Sequence, residues 1–168
     1  MVLKKLGLSS LVLIFAVTLQ HAAAKQSSTI ASEYTKWLNE DVHWIISPME
    51  REEFVSLRTD EQRMRFVIEF WERRNPNPGS KNNTFKQEHY RRLAYANTHF
   101  ASTVPGWTTD RGRMFIVYGP PDSISEHSLN GTHQLEVIWT YRNIMSLRFV
   151  DRCRCGELVL VNNLPNGR

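Results

Sequence analysis

The sequence predicts an α+β domain, with N-terminal amphipathic helices packed on a C-terminal antiparallel sheet of about four strands. Three observations predict it. Apolar residues recur at three- and four-residue steps from Tyr34 to Phe100. Beyond Ser102 the period falls toward two. The β-like runs are joined by short links, which suit neighbouring antiparallel strands and leave no room for the long crossovers of a parallel sheet.

Tyr34, Trp37, Leu38, Asp41 or Val42, Ile45 and Ile46 fall on one helical face from about Ser32, with Glu33, Lys36 and Glu40 left for water. Ser47-Pro48-Met49-Glu50 starts a short second helix that runs to about Leu57. Ser47 caps its end, Pro48 fits the first turn and Glu50 reaches back. Thr59-Asp60-Glu61-Gln62 repeats the device and opens a third helix to about Arg73. Its stripe is Met64, Val67, Ile68 and Trp71, widened by Phe66 and Phe70. Asn75-Pro76-Asn77-Pro78-Gly79 breaks the chain. Asn83 or Thr84 caps a fourth helix with Phe85, His89 or Tyr90, Leu93, Ala96 or Asn97 and Phe100 facing inward, and the small Ala94 and Ala96 admit a close neighbour. Strands are expected at Arg113–Tyr118, Leu135–Tyr141, Arg148–Asp151 and Glu157–Val161, the last two joined by a Cys-Arg-Cys-Gly turn. The polar run 123–133 reads as a hairpin loop.

Ahead of these elements, Lys4 and Lys5 precede a nearly unbroken apolar run, Leu6–Leu19, and then Ala22-Ala23-Ala24. That is the pattern of a secretory signal peptide cut after Ala24. The run is shorter than the roughly 20 residues of a spanning helix. The expected organisation is a signal peptide at 1–24, a flexible lead-in at 25–31 and one domain at 32–164, in a secreted or periplasmic protein. Cleavage removes two of 21 cationic side chains and none of the 17 acids, so net charge falls from +4 to +2. A nearly neutral chain gives no footing for nucleic acid, which calls for a concentrated basic stripe. Membrane contact is expected only through an uncleaved leader.

Cys153 and Cys155 are the two cysteines. Three readings stand: a local disulfide, a free dithiol pair, and a metal or redox site. Structural zinc normally takes four ligands, and no second cysteine pair exists.

The densest stretch is Pro105-Gly106-Trp107-Thr108-Thr109-Asp110-Arg111-Gly112-Arg113, followed by Met114–Tyr118 and Gly119-Pro120-Pro121-Asp122. "GWTTD" and the "RGRMFIVYGPPD" after it resemble the GWxTD domain of secreted bacterial proteins. So do "WLNEDVHWII" (37–46), "FVIEFWERRNPNPGS" (66–80), "EHYRRLAYANTHF" (88–100) and "FVDRCRCGELVL" (149–160). Asn75 departs from an expected Asp in the "RRDP" form of the pattern. The resemblance implies a fold and export, and supplies no catalytic residues to carry over.

Two uses of the stretch follow from its chemistry. In a structural one, Trp107 beds against Phe70, Trp71, Tyr90 and Phe100. Asp110 accepts the N–H groups of Arg111 and Gly112 or pairs with an arginine, and Gly112 takes a positive φ that launches a strand. In a binding one, Arg111, Arg113, Arg91 and Arg92 gather near Asp110, Asp122 and His89 to hold an oxyanion, while Trp107 and Tyr118 stack on a sugar ring or a peptide side chain. The expected role is a non-catalytic interaction module of the bacterial envelope with a protein or glycan partner and no cofactor. The alternative is a hydrolase using the His89/Asp110 neighbourhood as an acid–base pair. The H-E-x-x-H and G-x-S-x-G patterns are both absent.

Overall fold

The computed structural model describes residues 32–129, 134–142 and 144–164. The leader and the lead-in lie outside them. Helix α1 covers residues 32–41, and its second half, Trp37–Asp41, is a π-helical turn. The helical pattern predicted as far as Ile46 stops there. The amides of Ile45 and Ile46 both donate to the carbonyl of Val42 and fold the chain back, ahead of a proline that disfavours helix in the residue before it.

Helix α2 is Pro48–Ser56 and α3 is Asp60–Glu72, and both predicted capping boxes form. Ser47 pairs reciprocally with Glu50, and Thr59 with Gln62. The buried face of α3 differs from the predicted stripe. Phe66, Phe70 and Trp71 are inside, whereas Met64 and Ile68 are 51% and 60% exposed. Aromatic bulk decides the rotation, because Phe66 and Phe70 bury more surface than a Met/Ile pair. They close an aromatic cluster with Trp37, Leu38, Val42 and Phe54. Trp37 and Phe70 meet edge to face at 5.2 Å, and Phe70 and Trp71 at 5.1 Å.

Helix α4, Thr84–His99, is capped by Asn83 and buries His89, Leu93 and Ala96. A 3₁₀ turn, Gly106–Thr108, leads into α5, Asp110–Tyr118. This corrects the predicted strand at 113–118. Met114, Phe115 and Ile116 are buried in succession whereas Arg113, Val117 and Tyr118 are exposed, so the apolar run in the sequence does not mark one helical face. A short apolar run of that kind reads equally well as either structure.

The sheet is an antiparallel meander in the order β1-β2-β3-β4, comprising Ser123–Leu129, Gln134–Tyr141, Met145–Asp151 and Leu158–Leu164. The run predicted as a loop is therefore largely β1, an edge strand paired with β2 from Ser123↔Thr140 to Leu129↔Gln134. Its residues from Ser123 to Ser128 are exposed, so no buried face marks the strand in the sequence. Val137↔Phe149 and Trp139↔Leu147 stack across β2 and β3. With Tyr141, Leu158, Leu93, Ala96, Phe100 and the apolar residues of α5 they form a second core. The two cores meet at Tyr90, which packs against both.

Candidate functional site

The GWTTD segment packs on the second core beside α4 and α5, and its residues tie α4, α5 and β4 together. Gly106 lies flat on α4, where a Cβ would stand 2.0 Å from the Ala96 carbonyl oxygen. The Trp107 amide donates to Asn97 Oδ1 at 3.0 Å, and its carbonyl accepts the indole N–H of Trp44 at 2.8 Å. Thr109 caps α5. Its hydroxyl accepts the Gly112 amide at 3.0 Å and donates to the Gly106 carbonyl at 2.8 Å. Asp110 Oδ2 accepts the Leu160 amide of β4 at 2.7 Å.

Several expectations are corrected. The local turn predicted for Asp110 is made by Thr109 instead, because a hydroxyl at the N-cap reaches the third helical amide. This frees the carboxylate of Asp110 to latch the sheet. Gly112 does not need positive φ. It lies inside a helix, and a Cβ there would come 1.9 Å from the Gly106 carbonyl oxygen. The bed of Trp107 is not Phe70, Trp71, Tyr90 and Phe100 as a group. Trp107 is half-buried against the second core, and its ring meets His43 at 5.3 Å.

The proposed cationic cluster is dispersed. Arg111 lies over the Phe100 ring at 5.1 Å, and Arg113 over Trp44 at 5.0 Å. Two positions apart on a helix, they point to different sides. Arg91 and Arg92 both hold Glu88, which keeps its carboxyl at about 2. Arg92 also approaches the carbonyls of Ile116 and Val117 at the end of α5. Asp122 accepts the Arg142 amide at 2.6 Å across the start of the sheet. Tyr118 packs on Tyr141, 5.9 Å between rings.

His89 is buried. Its Nε2 bonds the Asp41 carbonyl at 2.6 Å and its ring faces Trp71. Burial pushes its pKa below the usual histidine value. His89 Nε2 and Asp110 Oδ2 thus bond separate backbone partners. Neither lines the cleft of about 260 Å³ between Tyr34, Leu38, Asn39, Phe54, Val55 and Arg63.

The surface that does form at the motif was not foreseen. His43, exposed, stands edge-on to Trp44 at 4.4 Å and beside Trp107. Arg113, also exposed, covers the Trp44 ring. Burial and the Arg51 charge hold His43 below its ordinary pKa, which keeps it neutral near pH 7. The result is a half-open aromatic surface with one guanidinium on it. Its sequence signal was the His43-Trp44 pair inside the 37–46 block. Nothing in the sequence joins that pair to a tryptophan 63 residues later.

Arg74 forks onto both oxygens of Glu50 at 2.9 and 2.7 Å, donates to the Phe70 and Ile45 carbonyls, and lies 3.7 Å from the Phe70 ring centre. Asn75 is buried, with its amide donating to the Ser80 carbonyl and its oxygen accepting the Asn77 amide. An aspartate could not supply the donor.

A family model described as GWxTD domain matches residues 23–151. No curated protein and no solved structure matches the chain.

Proposed function

The chain belongs to the GWxTD domain family, and from that premise we propose that it is an exported, non-catalytic module of the bacterial envelope that holds a protein or glycan partner. The contact surface is His43, Trp44, Trp107 and Arg113. The observation that carries the reading is the half-open aromatic surface rimmed by Arg113. Flat aromatic faces take the apolar side of a sugar ring or a planar side chain, and a guanidinium beside them selects an anionic group. The motif's other side chains are spent on structure, so this surface is what the junction leaves available to a partner.

The hydrolase alternative lacks comparable support, because His89 and Asp110 are engaged apart from one another. Export rests on the basic, apolar and small-residue order of the first 24 residues.

Two measurements test the reading. Peptidoglycan sacculi should co-sediment the purified mature protein, or a photo-crosslinker at position 108, exposed beside Trp107, should capture a single envelope partner in cells. Arg113→Ala and His43→Ala should each weaken that contact about tenfold with an unchanged melting curve. If neither assay gives a signal above a crosslinker placed at position 118, the reading is wrong.

A further inference from the structure

The β3–β4 turn carries chemistry that a contact surface does not use. Cys153 and Cys155 form a disulfide across a single intervening residue, and both are exposed. Arg152 and Arg154 flank them, also exposed. Beneath the turn is Asp151, which is buried. Its Oδ1 accepts the Cys155 amide at 3.1 Å, its Oδ2 accepts the Gly156 amide at 2.8 Å, and Oδ1 stands 3.4 Å from Cys153 Sγ. The turn is thus anchored through its backbone, independently of the sulfur–sulfur bond. Arg154 has φ 58°, the one non-glycine residue with positive φ among those described, a conformation that a side chain adopts at a cost.

We propose that Cys153–Cys155 is a thiol–disulfide exchange site that passes its disulfide to cysteine pairs of an extended polypeptide. The sulfurs are open to solvent, and guanidinium groups on either side favour the thiolate form of a departing cysteine. Exposed disulfides are the readily exchanged ones. The exposure of both cysteines and of Arg152, Arg154 and Gly156 lets an extended segment reach the sulfurs.

The chemistry balances without a cofactor. A substrate thiolate attacks one Sγ of the pair. A mixed disulfide forms, the Cys153–Cys155 bond breaks, and its electron pair leaves on the second sulfur, which takes a proton from water. The substrate's other thiolate then attacks the substrate sulfur of the mixed disulfide, and the remaining protein thiolate departs. The substrate has lost two electrons and the Cys153/Cys155 pair has gained them. A low-molecular-weight disulfide, oxidised glutathione in the assay, re-oxidises the pair by the same two exchanges.

The test has two arms. In the first, the unaltered mature protein is held in reduced glutathione under native conditions and its thiols are trapped by alkylation. The pair should open while the fold, read by circular dichroism, persists. In the second, a dithiol peptide and oxidised glutathione are mixed with the protein. Peptide disulfide formation should run at least about tenfold faster than with the Cys153→Ser/Cys155→Ser double variant, and Cys155→Ser should accumulate a mixed disulfide on Cys153. A pair that stays closed in the first arm, or a peptide rate equal to that of the double variant, overturns the proposal. The first arm uses no substitution, so misfolding of a variant cannot leave the question open. The exchange site and the Trp107 surface share no residue, so the exchange is a second activity beside the non-catalytic contact of that surface, and either can fail alone.

Discussion

A methyl group at position 106 would stand 2.0 Å from one backbone oxygen, and at position 112 it would stand 1.9 Å from another. No rotamer relieves such a clash, because the obstructing atoms are main chain. Gly106→Ala and Gly112→Ala should therefore each cost about 3 kcal/mol or more, at or beyond the upper end of overpacking effects, visible as a lower denaturation midpoint. Asp110→Ala leaves the Leu160 amide without its acceptor and should cost about 1–3 kcal/mol. Asp110→Asn, which keeps an oxygen there, should recover most of it. At this scale the sequence announced that the motif matters and misassigned the jobs inside it. Backbone approach between segments leaves no trace in a linear string beyond the glycine itself.

Among the elements, the two capping boxes were readable because every partner lies within three residues. Helix α5 was not, since its cap is a lone Thr109 with no returning Glu or Gln. Strand β1 was hidden because an edge strand with exposed side chains keeps no apolar alternation. The α2–α3 link gives the clearest pH effect. The Arg74 guanidinium holds the Glu50 carboxyl at about 2, well below its usual range. A depressed carboxyl stabilises the fold in full above its unfolded value of 4.5, and that stability fades as pH falls toward 2. Glu50 is 17% exposed, so about 2 kcal/mol is expected after allowing for solvent. Glu50→Gln should lower the melting temperature at pH 7 and flatten its dependence between pH 5 and 2, a range set by those two values. Wild-type and variant melting curves recorded across it would show whether the slopes differ.

For the whole molecule, two cores share one tyrosine. Tyr90 packs on both and bonds the Asp41 carboxylate at 3.3 Å. We expect the unaltered domain to unfold in one transition by tryptophan fluorescence and by far-ultraviolet circular dichroism alike. Tyr90→Ala, costing about 3 kcal/mol, should separate the two curves, with the α1–α3 portion going first. If they stay superimposed, some other contact couples the cores. Separately, the purified mature protein should begin at Lys25 on N-terminal sequencing, as expected of cleavage after Ala24.

The hydrogen bond between Asp110 and Leu160 spans 50 residues, and this bears on the order of assembly. While the chain is being synthesised, the carboxylate at the head of α5 has no amide to receive until the last strand emerges. The junction is therefore among the latest parts to close. Clipping the chain just before β4 should undo the GWTTD knot without touching any of its five letters.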